Sequence, residues 1–302
     1  MIEVRRGRVR AAGWTAVTPG AWVATDEPSL TDRLRAWRLV LPESAVFTHL
    51  TAAAVRGWWM PAPVPRPVFA AVSKHDQHPQ RRGLQVTRLQ AVPSGEWLAG
   101  VLVATAAETL LACARDLALL DLVPLADSAL RLRHTDLDEL HQLAAERRRG
   151  APALREALPL LDARSESPWE SVMRVLHHAA GVRVEPQHVV VGSDGHFVAR
   201  ADLWLVGTRR LHEYDGEVHR DLDVHRADLD RDRRLIEEGW QRCGWTATEV
   251  LRRGGSIITS ADRALGREWE PVRLQRWREL VSRSLYGSAG RTRAARRWAT
   301  EC

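Results

Sequence analysis

ARADLWLVGTRRLHEYDGEVHR, the stretch Ala199–Arg220, has alternating apolar and polar residues on either side of Gly207-Thr208. This pattern predicts a β-hairpin with a tight turn that opens on the glycine. If the loop is these two residues, Asp202 lies directly opposite Glu213, and the two-residue period of a strand places Asp215 on the face of Glu213. Three carboxylates on one patch repel one another. The hairpin therefore predicts a site for a hard cation such as Mg²⁺, which prefers oxygen ligands.

The composition indicates a protein with a substantial core and no membrane segment. The chain has 302 residues, 45% of them hydrophobic, which is enough for one large domain or two ordinary ones. No run reaches the roughly 18 apolar residues of a membrane span, and the N-terminal MIEVRRGRVR lacks the apolar segment of a secretory signal. Cys113, Cys243 and Cys302 are far apart, which argues against a disulfide framework and a structural zinc site. We therefore expect a cytoplasmic protein with no membrane partner.

The charge of the chain is strongly positive and is carried almost entirely by arginine. The formal net charge is +6 with a pI near 10.1, and Lys74 is the single lysine. Arginine forks match phosphate oxygens, so a nucleic-acid partner is one interpretation. The alternative is that arginine replaces lysine because of GC-rich coding. Composition alone leaves both interpretations open.

Residues 1–104 are predicted to form a basic α+β domain. Two or three short strands fill residues 1–24, a helix capped by Ser29 follows, and strands are predicted up to residue 103. Basic side chains on the first strands are suited to a DNA backbone: Arg5, Arg6, Arg8 and Arg10. The alternative is a solvated basic edge that discourages strand pairing.

Residues 105–163 have helical spacing throughout and predict a helical bridge. The run Glu146-Arg147-Arg148-Arg149-Gly150 is predicted to be the basic end of a helix, with the glycine as its stop. Positive charge at a helix C-terminus is favourable, so these arginines need no ligand to explain them. Residues 251–302 predict a further C-terminal helical extension.

Residues 164–250 predict a compact α/β unit. Ser167-Pro168-Trp169-Glu170 is predicted to be a capping box with proline at the first helical position. A strand, the hairpin, a second helix and a last strand follow, which indicates a mixed sheet covered by helices. Glu170 is either an ordinary helix cap or a carboxylate directed toward the hairpin.

The same segment resembles the PD-(D/E)XK nuclease superfamily. The motifs are Glu170 on the leading helix, Asp202 in RADLW, Glu213 and His219 in HEYDGEVHR, and the later Asp228…Arg231…Gly239-Trp240. The pattern is similar to that of the bacterial branch related to very-short-patch-repair endonucleases, with a restriction-endonuclease-like fold. HLTAAAVRGWW and the basic N-terminal strands resemble the type IV abortive-infection antitoxin domain, with a truncated winged-helix start.

The resemblance implies metal-dependent hydrolysis of DNA phosphodiester bonds. Asp202 and Glu213 would hold Mg²⁺ or Mn²⁺, and Glu170 would assist through water. The ion would activate water and neutralise charge on the phosphate. Asp215 stands where the superfamily has a lysine, so His219 is the candidate for acid-base work.

Several alternatives accompany this interpretation. Arg200 and Arg231 are predicted to contact DNA, although Arg231 pairing with Asp228 is the favoured structural alternative. A zinc site built from His212, His219 and His225 is disfavoured, because His212 points to the strand face opposite Glu213. The rival function is a non-catalytic DNA-binding regulator or antitoxin-like protein of a defence or toxin–antitoxin system, and RNA remains open as a substrate.

Overall fold

The computed structural model describes residues 1–62, 66–216 and 222–299, and it describes side chains outside residues 222–228. The strands are β1 (Val4–Arg6), β2 (Thr15–Thr18), β3 (Ala21–Val23), β4 (Val46–Phe47), β5 (Val68–Ser73), β6 (Leu84–Leu89), β7 (Gly95–Leu98), β8 (Val101–Ala104), β9 (Val184–Val191), β10 (Phe197–Leu205), β11 (Arg210–Tyr214) and β12 (Gln241–Trp245). The helices are α1 (Leu30–Arg38), α2 (His49–Val55), α3 (Ala106–Ala114), α4 (Leu119–Arg131), α5 (Leu137–Ala145), α6 (Ala151–Ala157), α7 (Pro168–Ala179), α8 (Leu222–Glu237), α9 (Ala247–Arg252), α10 (Gly254–Ala264), α11 (Gln275–Arg283) and α12 (Ser288–Arg297). Within these ranges, every helix is too short or too polar to span a bilayer.

The chain divides into two compact units. The first contains residues 1–117, 134–155 and the described chain from 291 onward, and the second contains residues 118–133 and 156–290. The segment predicted as a helical bridge is thus divided, because α3 and α5 belong to the first unit and α4 to the second. Each unit combines helices with a mixed sheet, which confirms the predicted α/β class.

The first unit contains two sheets. Strands β1, β3 and β2 form an antiparallel sheet in that order, and a second sheet has the order β6-β5-β4-β8-β7. Ser29 and Asp32 form a capping box at the start of α1, and α1 buries Leu34 and Trp37 against the core residue Phe47. Before residue 103, where the sequence predicted the last strand of this domain to end, the chain forms two strands, β7 and β8, joined as a hairpin.

The arginine run after α5 differs from its prediction. Helix α5 ends at Ala145, so Arg147, Arg148 and Arg149 lie beyond the helix and not in its last turn. Arg148 instead forms a two-pronged ion pair with Glu108 at 2.6 Å from each nitrogen. The helix dipole therefore does not account for these arginines.

The second unit is built on a four-stranded sheet with the order β12-β11-β10-β9. Strands β9, β10 and β11 are antiparallel, and β12 runs parallel to β11. The predicted order of helix, strand, hairpin, helix and strand is confirmed by α7, β9, β10–β11, α8 and β12. Helix α7 packs against β9, β10 and β11, and α8 packs against β10 and β12.

The hairpin loop is longer than predicted. Residues 206–209 separate the two strands, where the sequence predicted a loop of Gly207-Thr208 alone. The Thr208 amide donates to the Leu205 carbonyl at 3.1 Å, which closes the turn. Gly207 adopts φ +85°, a left-handed conformation that suits glycine.

Candidate active site

The two central carboxylates face each other across β10 and β11. Leu203 pairs with His212 in the antiparallel register, and the predicted position of Asp202 opposite Glu213 is one residue further along that register. The Tyr214 amide donates to Asp202 Oδ2 at 2.8 Å. The charge of Glu213 acts on Asp202, so the two acidic side chains lie near each other on adjacent strands of the sheet.

Glu213 is neutralised by two arginines. Only 4% of this residue is exposed, and each of its carboxylate oxygens contacts a different guanidinium group, that of Arg231 from α8 or that of Arg242 from β12. Arg231 also donates to the Arg200 carbonyl at 3.1 Å. A buried carboxylate requires such compensation. The observed partner of Arg231 is thus Glu213, and the Asp228 side chain lies outside the described residues.

Arg242 connects Glu213 to Asp215. Its Nη2 lies 2.8 Å from Asp215 Oδ1, so Asp215 and Glu213 share one cation, consistent with their predicted common face. The Asp215 carboxylate lies directly over Gly244, where a Cβ would be 1.7 Å from Oδ2. Burial lowers the pKa of Arg242, but hydrogen bonding and charge from Glu213, with the charges of Asp215 and Asp232, raise it above its ordinary value. Arg242 therefore places a permanent cation beside Asp215 and Glu213.

Glu170 is fixed at the start of α7 by partners other than the predicted ones. Its amide donates to Ser167 Oγ at 3.2 Å, as in a capping box. Its carboxylate, however, accepts from the Glu166 amide and from Gln187 Nε2, each at 2.8 Å, and not from the Ser167 amide. Arg200, predicted to contact DNA, pairs with the Glu166 carboxylate at 2.8 Å.

Gln187 holds an unusual backbone conformation. It has φ +53°, in the left-handed region that non-glycine residues seldom adopt. The flanking pairs, Pro186 with Leu203 and His188 with Ala201, place Gln187 beside Asp202 in the sheet. A residue in such a conformation costs about 1–3 kcal/mol and persists only where its surroundings enforce it. The hydrogen bond that the Gln187 side chain donates to Glu170 joins β9 to the acidic cluster.

Asp202 has a strongly perturbed acidity. Burial and the charge of Glu170 raise the pKa of Asp202 to about 7, with a further contribution from Glu213, while the Tyr214 amide and Arg231 act in the opposite direction. Glu170 and Glu213 are therefore close enough to disfavour the ionised form of Asp202. A carboxyl group with this pKa exchanges its proton near neutral pH.

A histidine pair lies on the opposite face of the sheet. His212 Nδ1 is 2.9 Å from His177 Nε2, and His177 Nδ1 is 2.8 Å from the Met173 carbonyl. Both imidazoles are fully buried. Burial lowers the pKa of His177 to about 4, and burial with the charges of His177 and Arg210 lowers the pKa of His212. His212 thus anchors α7 to the sheet, and His219 and His225, the other candidates for a zinc site, lie outside the described side chains.

Carboxylate oxygens are suitable Mg²⁺ ligands, but the observed arrangement does not fit an ion shared by Asp202 and Glu213. Both Glu213 oxygens contact guanidinium groups. Within residues 1–62, 66–216 and 222–299, the described side chains include no group of three or more His, Cys, Asp or Glu arranged to hold a metal ion. At least one arginine has to leave Glu213 before the two carboxylates can share an ion.

A cavity of about 490 Å³ adjoins this cluster. It lies along α8 and β12 and is lined by Arg210, Asp232, Leu235, Ile236, Gly239, Trp240, Gln241, Arg242 and Cys243. Arg242 therefore contacts Glu213 and also borders an open space large enough for part of a ligand. Concave sites with a few polar groups and perturbed acidities are typical of active sites.

The predicted N-terminal DNA contacts are exposed, and they belong to the other compact unit. Arg5 and Arg6 lie on β1, and Arg8 and Arg10 follow it. Arg5 lies 3.8 Å from Glu3 and 5.6 Å from the centre of the Trp14 ring. His219, the predicted acid-base residue, lies outside the described residues.

Sequence reasoning missed Arg242, Gln187 and His177. The sequence contains an indication of the role of Arg242, because this residue lies on the strand after α8, two residues before Gly244. Gly244 pairs with Glu213 in the parallel register. The sequence contains no such indication for Gln187, since its role depends on a left-handed backbone conformation inside a strand. His177 appears in the sequence only as a polar position in an amphipathic helix.

Two relatives share most of the chain's length. They are uncharacterised proteins of Mycobacterium tuberculosis, strains CDC 1551 and H37Rv, each 29% identical over 271 residues, which is 86% of this chain and 95% of the relative. A similarity of this length extends over both compact units. No family model matches the chain. No solved structure matches it either.

Proposed function

We propose that this protein hydrolyses phosphodiester bonds in DNA at the carboxylates of β10 and β11, within a restriction-endonuclease-like domain at residues 164–250. The observation that carries this proposal is the meeting of Asp202 and Glu213 beside two guanidinium groups. Phosphodiester hydrolysis needs a group that takes a proton from water and cations that stabilise the charge on the phosphate. The cluster contains side chains for both tasks.

Each side chain has a chemical role. Asp202, with its pKa raised to about 7, is suited to accept a proton from the attacking water at neutral pH. Arg242 and Arg231 carry the positive charge of the cluster, and because both are bound to Glu213, a phosphate oxygen would take the place of a Glu213 contact. Glu170, held by Gln187, keeps negative charge near Asp202 and maintains its raised pKa.

Mg²⁺ or Mn²⁺ is the cofactor that the sequence resemblance implies, with Asp202 and Glu213 as its ligands. A divalent ion supplies neutralising charge and an activated water in such reactions. Because the observed arrangement places arginines on Glu213, we assign no step to the ion. Metal dependence is decided by measurement.

The test is cleavage of supercoiled plasmid, single-stranded DNA and RNA by the full chain, with Mg²⁺, Mn²⁺ or chelator present. Asp202→Asn keeps the shape of the side chain and removes the proton acceptor, so we expect the rate to fall at least about 100-fold, as for loss of a general base. Asp230→Asn makes the same change at an exposed position of α8 and is the matched control. The control is expected to retain the wild-type rate.

The outcomes separate activity from contamination. Cleavage that survives in Asp202→Asn assigns the activity to another site or to a co-purified nuclease and refutes the proposal. Glu213→Ala is less informative, because it leaves two arginines without their carboxylate and threatens the fold. Activity in Mg²⁺ or Mn²⁺ that chelator abolishes would establish the metal requirement.

A second candidate is a non-catalytic DNA-binding regulator or antitoxin-like protein of the cytoplasm. The observation that favours it is the pairing of Glu213 with two arginines, which gives this carboxylate a structural role. Such a protein would retard DNA equally in chelator and in the Asp202→Asn variant, and it would cleave none of the substrates. Retardation without cleavage in all metals would replace the nuclease proposal with this one.

A further inference from the structure

A small cavity in the first compact unit carries an excess of positive charge. Its volume is about 230 Å³, and its charged lining residues are four arginines and one glutamate: Arg88, Arg115, Arg148, Arg149 and Glu108. Thr48 and Thr87 add hydroxyl groups, and the remaining lining residues are apolar. Charge of one sign concentrated in a cleft attracts ions of the other sign.

The arginines converge from separate parts of the unit. Arg88 comes from β6, Arg115 follows α3, and the last two come from the segment between α5 and α6. This segment lies against the end of α3 because residue 150 is glycine. Gly150 has φ +98°, and a Cβ there would be 2.3 Å from the Leu111 carbonyl oxygen. The close approach brings Arg148 and Arg149 to the cavity.

Arg115, which lines this cavity, also has a buried donor without a partner among the described residues. Its Nη2 donates to Thr87 Oγ1 at 3.1 Å, whereas its Nε is buried and has no hydrogen-bond partner among the described residues. Burial lowers the pKa of Arg115, and the like charges of Arg297 and Arg149 lower it further, against Asp116, which raises it. An unpaired buried donor costs about 1–3 kcal/mol, and more when it is charged. An anion in the cavity would relieve the repulsion between these like charges.

The one carboxylate in the lining does not neutralise these charges. Both oxygens of Glu108 are engaged by Arg148, at 2.6 Å each. Arg88 donates to the carbonyls of Lys74 and Asp76. Among the described residues, Arg115 and Arg149 form no ion pair with a carboxylate, so their charges are available to a ligand.

We propose that this cavity binds a phosphate group, either as inorganic phosphate or as the terminal phosphate of a nucleic-acid strand. A volume of about 230 Å³ lies below the roughly 300 Å³ at which pockets for drug-sized ligands begin, so the cavity suits a small anionic group. Guanidinium forks match the tetrahedral oxygens of phosphate. This site is separate from the carboxylates of β10 and β11, and its binding does not depend on hydrolysis there.

The arginine run supplies its own matched control for the test. Arg147 and Arg149 are both exposed and lie two residues apart, but only Arg149 lines the cavity. Calorimetric titration of inorganic phosphate into the full chain, with chloride holding the ionic strength constant, compares wild type, Arg149→Gln and Arg147→Gln. We expect Arg149→Gln to weaken binding at least about tenfold, the effect of one hydrogen bond to a charged group. Arg147→Gln is expected to bind as wild type does.

Oligonucleotides then identify the source of the phosphate. A labelled single strand with a 5′-phosphate is compared with the same strand ending in a hydroxyl, by fluorescence anisotropy. Tighter binding of the phosphorylated strand by wild type but not by Arg149→Gln identifies a strand end. Dependence on Arg149 for inorganic phosphate alone identifies the free anion. Absence of phosphate binding to wild type at millimolar concentration, or equal weakening in both variants, would overturn the assignment.

Discussion

The buried histidine pair makes an acid-sensitive contribution to the stability of the second unit. His177 and His212 are fully buried and bond to each other between α7 and β11. Replacing His177 by glutamine keeps a polar group near His212 and removes a side chain that gains a proton on unfolding. The variant therefore isolates the contribution of one imidazole to the pH dependence of stability.

The size of this contribution to stability follows from the pKa values of His177 in the folded and the unfolded protein. Its pKa is about 4 in the folded protein and about 6.5 in an unfolded chain. Below about pH 6.5 the unfolded state binds more protons, so stability is lost as the pH falls toward 4. At pH 5 this difference amounts to about 2 kcal/mol from His177 alone. The lowered pKa of His212 acts in the same direction.

The wild-type curve alone does not reveal this contribution. Burial raises the pKa of Asp127 to about 6 and, with the charge of Glu170, that of Asp202 to about 7. A carboxyl group with a raised pKa binds protons more readily in the folded state, so these two residues add stability as the pH falls. They offset the histidines, and only the difference between wild type and variant is informative.

Urea unfolding at pH 7 and pH 5 gives the required comparison. Between these two values we expect His177→Gln to lose about 2 kcal/mol less free energy of unfolding than wild type loses. His178→Gln removes an exposed imidazole from the same helix and is the matched control. Equal pH dependence in wild type and His177→Gln, or the same change in both variants, would refute the assignment to the buried pair.

Two further changes test packing in each unit. Gly150→Ala places a Cβ 2.3 Å from the Leu111 carbonyl at φ +98°, and we expect urea unfolding to show a loss of about 2–3 kcal/mol in the free energy of unfolding. The control Gly57→Ala, at φ +71° with open space around it, should lose only about 1 kcal/mol. Equal losses in the two variants would contradict the close approach at Gly150. Arg174→Met removes the guanidinium partner of the buried Asp127 carboxylate, and a loss of about 3–5 kcal/mol is expected. Adding Asp127→Asn should restore part of it, whereas a double variant as unstable as the single would argue against an uncompensated charge.

The local elements were predictable because their causes are local. Alternation of apolar and polar residues around Gly207 identified the hairpin and placed Asp202 opposite Glu213, although the loop contains four residues. The order of elements from α7 to β12 was equally accessible, since each begins or ends at a recognisable cap or glycine. Strand register depends on the turn and on the period of two, and both can be read from the sequence.

The partners of the charged residues were not predictable in the same way. Arg231 was expected to meet Asp228 or a phosphate, and it contacts Glu213, which is distant in sequence. Periodicity assigns a residue to a face but does not say which side chain from another element approaches it. The same limit applies to α4, which lies in the segment that helical spacing predicted to be a bridge. Its Asp127 instead pairs with Arg174 inside the second unit.

The side-chain contacts separate the arginines that stabilise the fold from those available to bind an anion. Composition left open whether the arginines bind nucleic acid, and many of them serve the fold, as Arg174 does with Asp127 and Arg273 with Asp262. Arginines whose charge a carboxylate already neutralises contribute little attraction for a polyanion. Those that count are the ones with no ion-pair partner of their own, and among the described residues Arg115 and Arg149 meet that condition at a cavity of defined size. Anion binding is therefore better tested at single arginines with matched controls than inferred from the net charge of the chain.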